Sequence, residues 1–333
     1  MDDKDSLSPN IFNYATSELT QDAFICWLAA WSHQKHLHTN NELHKTGLLF
    51  INRMLRKHDF DLGTEVVSPT IKQQHHNTDV VIEVGDFIIL IEDKVHSQAH
   101  SNQLERYRKK LKSEFENKQI IPIYFQTGSQ SSYASVKEKG YQPFLREDFI
   151  AVLQKGADHG ISNEIFTNYH RYIQKIDSRF KSFQNKTITN WDWDGWKGFF
   201  AVLKQQLGEG GWNYVANPSG GFMGYWWNFA NHELCTSYLQ LENNKLCFKI
   251  KITQETNYST IRNRWHKKVV QAGQSFDIPI SKPVRFGHGQ QMTVAILNAD
   301  YRETDEAGKL DLEKTLQVLK KASSILEEAR NVS

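Results

Sequence analysis

Residues 87–91 read Phe-Ile-Ile-Leu-Ile, and this wholly apolar run constrains the fold more than any other stretch of the 333-residue chain. A strand with one wet face alternates apolar and polar residues, whereas one that is apolar throughout must be covered on both faces. Just upstream, Val80-Val81-Ile82 forms a second β-branched run. Gly85-Asp86 between the two is a turn signal, so the pair reads as a hairpin. The buried run ends in Glu92-Asp93-Lys94. Three charged side chains there are costly unless something pairs with them or the strand leaves the core at that point.

The neighbouring residues favour pairing. Asp79 opens the first strand, and antiparallel neighbours can bring Asp79 and Glu92 to one end of the hairpin. Residues at i and i+2 share a face, so Glu92 and Lys94 point one way and Asp93 the other. Two hard carboxylate ligands plus water suit Mg2+ or Mn2+. An ammonium beside them can orient or help deprotonate an attacking water, while a metal stabilises the charge that builds on phosphoryl oxygens. These are the parts of a metal-assisted phosphodiester hydrolase. Downstream, Gln103 and Tyr107 lie four apart in a polar, helix-compatible segment and share a face. An amide and a phenol can donate hydrogen bonds to phosphate oxygens. Capping by Gln103 and packing by Tyr107 are the alternative roles.

Thr78-Asp79 followed by Glu92-Asp93-Lys94 resembles the signature of the PD-(D/E)xK nuclease superfamily, with Thr78 where Pro usually stands. The spacing of Gln103 and Tyr107 is similar to the Q-x-x-x-Y motif of the RecB-like branch, which includes CRISPR-associated exonucleases. Residues 15–31, ATSELTQDAFICWLAAW, resemble the opening of a bacterial family of uncharacterised PD-(D/E)xK proteins. The resemblance implies an α/β, restriction-endonuclease-like mixed sheet flanked by helices over about residues 10–183. It implies catalytic roles for Asp79, Glu92 and Lys94, with Gln103 and Tyr107 beside the metal and on substrate phosphate. The implied metal ligands are Glu18, Asp79, Glu92 and the backbone carbonyl of Asp93, because the first core helix of the superfamily often lends a Glu. The implied cofactor is Mg2+ or Mn2+. The implied partner is nucleic acid, DNA ahead of RNA, in a restriction or phage-defence setting. Glu18 also has a plainer reading: with Asp22 it lies near a helix start, where the macrodipole favours carboxylates. Gln21 is a further candidate on that helix.

The rest of the chain reads in the order α-(α)-β-β-β-α-β-β-α-α. Thr16 or Ser17 can cap a first helix to about Gln34, with Phe24, Trp27, Leu28 and Trp31 as its apolar stripe. His33, His36, His38 and His44 crowd a polar loop and read as a solvated helix end rather than a metal site. A second helix over 42–57 turns Leu48, Ile51 and Leu55 inward. Residues 65–71 read as the first strand, in which Glu65 is surface. A basic helix over 98–117 carries Arg106, Lys109, Lys110 and Lys112, either a solvated face or a strip facing phosphates. Residues 120–125 form another buried strand, 141–144 a short last one, and 147–153 and 164–183 two helices, the second with apolar Ile165, Tyr169, Tyr172 and Ile173.

Polar residues 184–189 divide a nuclease-like domain, 1–183, from an α+β accessory domain, 190–333. The latter opens with a Trp-rich helix to about Leu207. A hairpin follows at 238–252 with Asn243-Asn244 as its turn, then a strand at 293–297 and an amphipathic helix at 312–329. Its aromatics read as core before base-stacking platforms. Arg262, Arg264, Lys267 and Lys268 read equally as phosphate contacts or as a solvated helix.

A net charge of +2 neither indicates nor excludes a nucleic-acid binder. No apolar run approaches the ~20 residues that span a bilayer, and the polar, acidic start is unlike a signal peptide. The cytoplasm is the expected location. Cys26, Cys235 and Cys247 are too few and too scattered for a disulfide framework, a zinc site or an iron–sulfur cluster. No G-x-x-x-x-G-K-[ST] loop is present, so an ATP-driven motor would be another protein. A homodimer, or a protein partner bound through the C-terminal half, is compatible with the chain. The competing function is a binding module on the same fold that has lost catalysis.

Overall fold

The computed structural model describes residues 9–63, 67–95, 103–217 and 220–332. By internal contacts the chain divides into two compact units, Met1–Ser178 and Arg179–Ser333.

The first unit opens with α1 (Glu18–Ala30) and α2 (Asn41–Arg56). The Asn40 side chain accepts the backbone N–H of Leu43 at 3.0 Å and so caps α2. Strands β1 (Thr70–Gln73), β2 (Val80–Val84) and β3 (Phe87–Lys94) follow, then α3 (Gln103–Glu114), β4 (Gln119–Gln126), the short α4 (Ala134–Glu138) and β5 (Gln142–Leu145). Helices α5 (Arg146–Asp158) and α6 (Glu164–Phe180) complete the series. The sheet runs β1-β2-β3-β4-β5, antiparallel from β1 to β3 and parallel from β3 to β5. It is the mixed, helix-flanked sheet that the sequence implies.

The β2–β3 hairpin turns at Gly85, whose φ of 52° lies in the left-handed region that favours glycine. Strand β3 is central, and Ile88, Ile89, Leu90 and Ile91 are each fully buried. At roughly 1.5–3 kcal/mol per side chain, these four hold the strand in place and offset the cost of the charges at its end. One face, through Ile88 and Leu90, packs with Val81, Tyr124, Tyr141 and the Leu104–Tyr107–Leu111 stripe of α3. The other face lies over aromatics. Phe125 sits edge-on to Phe149 (centroids 4.9 Å apart), and Phe24 stacks on Tyr169.

Several elements differ from expectation in extent. Helix α1 ends at Ala30, and its buried face runs back through Asp22 and Gln21, while Trp27 and Trp31 are only half-buried. On α2, Leu48 is also half-buried. On α6, Ile165 is 46% exposed and Phe166 takes the buried place one residue on. Strand β1 is confined to Thr70–Gln73. Glu65, and residues 98–102 at the start of the expected basic helix, lie outside the described residues.

The second unit has α7 (Trp193–Leu207), strands β6 (Gly211–Val215), β7 (Phe222–Asn231), β8 (Cys235–Glu242) and β9 (Lys245–Ile252), α8 (Tyr258–Gly273), β10 (Ile280–Ser281), β11 (Gln291–Leu297) and α9 (Leu312–Asn331). Its antiparallel sheet runs β10-β11-β9-β8-β7-β6. The β8–β9 hairpin turns at Asn243, φ 51°, as the Asn-Asn pair implies. Trp191, Trp196, Trp212, Tyr225, Trp227 and Trp265 belong to one core with α8 and α9, so most of the aromatics are packing. The opposite face of the sheet lines a groove of about 600 Å³ with Trp226, Phe229, Tyr238, Lys249 and Lys251 among its residues.

Gly47 sets how closely α1 and α2 pack. A Cβ there would lie 2.7 Å from Leu28 O and 2.7 Å from Ser32 N. Neither backbone atom can yield without moving α1 or the turn that follows it. Gly47→Ala should lower unfolding stability by about 1–3 kcal/mol, measured by urea denaturation. An unchanged midpoint would show that the two helices can separate freely.

Candidate active site

Val80 pairs with Ile91 across the hairpin, so the next step outward sets Asp79 opposite Glu92. The backbone N–H of Asp93 donates to Asp79 Oδ2 at 2.7 Å, which fixes that carboxylate against the end of β3. Glu92 and Lys94 share the face of Ile88 and Leu90, and Lys94 Nζ lies 2.9 Å from Glu92 Oε1. The same ammonium stands 3.6 Å from Asp79 Oδ2 and 3.9 Å from Glu18 Oε2, and donates to the Asp93 carbonyl at 2.7 Å. Glu18, the first residue of α1, also accepts the backbone N–H of Val95 at 3.2 Å. Its two readings are therefore compatible: it opens the helix and it faces the end of β3. Three carboxylates and one carbonyl surround a single cation. That all-oxygen donor set fits a hard divalent ion such as Mg2+ or Mn2+.

Burial sets the electrostatics. Glu92 is fully buried, and desolvation, reinforced by the Asp79 charge and opposed by Lys94, raises its pKa to about 7. Burial raises Asp79 as well, against the pull of Lys94 and the Asp93 N–H. For Lys94 burial alone would lower the pKa, but Glu92, Asp79 and Glu18 together raise it, so the side chain is an ammonium.

Asp93 turns to the opposite face, as strand parity requires. There Gln21 Nε2 donates to Asp93 Oδ1, while Gln21 Oε1 accepts from Thr127 Oγ1 at 2.7 Å and from the Tyr169 hydroxyl at 3.4 Å. Asp22 lies against Asp93. Burial, then the Asp79 charge, raises Asp22 to about 7, and burial, then Asp22, raises Asp93 well above the usual carboxylate range. Gln21, a site candidate by sequence, thus lies behind β3 rather than among the carboxylates around Lys94, and the roles of Asp22 and the Asp93 carboxylate carry no sequence signal beyond Glu18 and Asp22 standing one helical turn apart. The buried Arg146 was also missed. Its guanidinium donates to Thr127 O at 2.9 Å, Gly128 O at 3.1 Å and Asp177 Oδ1 at 3.0 Å, tying the end of β4 to α6.

Gln103 begins α3, but its side chain lies outside the described residues. Tyr107 is 5% exposed within the core beside Leu90 and Leu104. Arg106, Lys109, Lys110 and Lys112 line the exposed side of α3. In the second unit, Arg262 is buried, lies 4.0 Å from the Phe286 ring centroid and donates to Phe286 O and Gly287 O. It therefore pins a loop and leaves the expected basic strip. Of the crowded histidines, His44 is not in a solvated loop but buried on α2, its Nδ1 3.0 Å from Trp31 O, while His33 Nδ1 accepts from Lys35 N.

A family model described as the PD-(D/E)XK nuclease superfamily matches residues 10–194. Searches among curated proteins and among solved structures find no match. Among the described residues, no helix is long and apolar enough to cross a membrane.

The raised pKa of Glu92 has a definite consequence for stability. Between its ordinary value, 4.5, and about 7, the folded chain keeps a proton that the unfolded chain releases. The stability this proton confers is complete below pH 4.5 and is lost as pH rises through 7, a difference of about 3 kcal/mol at most. In EDTA the melting temperature should therefore fall between pH 5 and pH 8. The fall should be clearly smaller in Glu92→Gln, which cannot titrate. Equal falls in both proteins would place the proton elsewhere.

Proposed function

The chain belongs to the PD-(D/E)XK nuclease superfamily, and from that premise we propose that it is a divalent-metal-dependent nuclease. The observation that carries this reading is the convergence of Glu18, Asp79, Glu92 and the Asp93 carbonyl on the Lys94 ammonium at the end of β3. Asp79, Glu92, the Asp93 carbonyl and Glu18 would hold the ion. Bound there, it would supply Lewis-acid stabilisation of the phosphoryl oxygens and acidify an attacking water. Lys94 keeps a positive charge within 4 Å of three carboxylates, where it can orient that water and offset charge on the phosphodiester. The network of Gln21, Asp22 and Asp93 holds β3 from behind and limits wandering of the site carboxylates. Gln103 and Tyr107 stand four apart on α3. The burial of Tyr107 supports a role in setting the helix against β3.

DNA is the proposed substrate, and the exposed basic side of α3 supports a polyanion. We extend the reading to a restriction or phage-defence setting, in which the second unit binds substrate or a partner protein.

Purified protein incubated with linear and circular DNA should cleave in Mg2+ or Mn2+ and stop in EDTA. Asp79→Asn and Glu92→Gln should each cost about a hundredfold or more in rate. Lys94→Ala should slow single-turnover cleavage far more than it weakens DNA binding, because its contact strengthens in the transition state. Tyr107→Phe should retain most activity, whereas Tyr107→Ala should lose folded protein and activity together. Cleavage undiminished in EDTA would reject the metal mechanism. DNA binding without cleavage in every metal would instead identify a binding module.

A further inference from the structure

We propose that His75, His76 and Glu114 form a second metal site, selective for a borderline transition-metal dication of the Zn2+ class and separate from the all-oxygen site at β3. Glu114 Oε2 lies 2.8 Å from His75 Nε2 and 3.0 Å from His76 Nε2. One ligand atom from each of the three residues falls within 4.8 Å of the others. A tetrahedral metal with bonds of about 2.0–2.1 Å to nitrogen and oxygen holds its ligand atoms roughly 3.3 Å apart, so the two His–Glu spacings need open only slightly to admit it. Two imidazoles and one carboxylate, with a position left for water, suit Zn2+, whereas carboxylates and carbonyls alone suit Mg2+ and Mn2+. The two sites would thus sort cations by donor type.

The backbone makes this convergence. Successive side chains on an extended chain face opposite sides, so neighbouring histidines do not ordinarily meet one carboxylate. Here Gln74, His76 and Asn77 take φ values of 53°, 57° and 66°, a conformation that costs non-glycine residues about 1 kcal/mol or more each. The result is two rings with centroids 4.1 Å apart, turned to the same acceptor. His75 Nε2 also lies 2.9 Å from Glu114 Oε1, which Lys72 Nζ approaches at 3.6 Å, while Oε2 is within 3.0 Å of both imidazoles.

The location gives the site a role. The turn of residues 75–77 is closed by Thr78 N and Thr78 Oγ1, both donating to His75 O, and by Gln74 N donating to Asp79 O. It therefore delivers the chain directly into Asp79. Glu114 is the last residue of α3, the helix that covers β3. An ion held by the three residues would fasten the Asp79 turn to α3.

The test does not depend on the nuclease reading. The full chain carrying Asp79→Asn and Glu92→Gln has a weakened β3 site and serves as background. In equilibrium dialysis against Zn2+, it should bind one equivalent. Adding His75→Ala or His76→Ala should lower that affinity at least tenfold, and Glu114→Gln should do likewise. Zn2+ should raise the melting temperature of the background protein but not of the histidine variants. Co2+ added to the background protein, with the trio intact, should give visible ligand-field bands of low-coordinate cobalt, a readout that needs no histidine variant to fold. Failure of the background protein to bind Zn2+, affinity indifferent to both histidine substitutions, or a cobalt spectrum like that of the free aqueous ion would each overturn the proposal.

Discussion

The ammonium of Lys94 is the counter-charge on which the end of β3 depends. Glu92 is fully buried, Asp79 is largely shielded, and Glu18 reaches in from α1. Without a cation among them, these carboxylates would repel one another in a poorly solvated place, and they would protonate or push the strand end outward. A lysine in their midst allows the chain to fold with the cluster intact. The surrounding aliphatic and aromatic burial supplies the stability that makes such an arrangement tolerable.

Much of the first unit was legible because a single strand announced itself. The unbroken apolar run of residues 87–91 fixed a doubly covered strand, and parity then assigned Glu92 and Lys94 to one side and Asp93 to the other. What escaped the sequence was polar burial. The stripe of α1 was read from its aromatics, yet Gln21 and Asp22 are buried while Trp27 and Trp31 are only partly covered. The reason is local: the N-terminal turns of α1 abut the charged end of β3, so polar residues find partners there. Arg146 escaped for the same reason, because its run of charged neighbours resembles a solvated helix start. Its buried partners, Asp177 and the carbonyls after β4, are distant in sequence. Helix ends also ran short of the periodic pattern, as fraying and capping decide them locally.

In the second unit the aromatic-rich segments were legible as core material, and the Asn-Asn turn placed its central hairpin. The charge pattern of α8 misled, because a guanidinium can serve equally as a phosphate ligand and as a lid over a ring. Arg262 does the latter with Phe286. The sheet keeps one face for the helices and leaves the other lined by both aromatic and basic side chains. Sequence periodicity alone could not assign that division, since both faces carry large aromatics.

The parity of β3 has an evolutionary consequence. The strand is a two-sided tape: one side carries Glu92 and Lys94, the other carries Asp93 and its support. A one-residue insertion or deletion between Gly85 and Glu92 that slid the strand in its sheet would exchange the sides, presenting Asp93 on the side now held by Glu92 and Lys94 and turning those two toward the aromatics. A two-residue change would preserve the sides but shift them along Asp79. Length variation among descendants of this chain should therefore be absent from residues 85–94 and accumulate in the segments that flank the hairpin, where no such phase is kept.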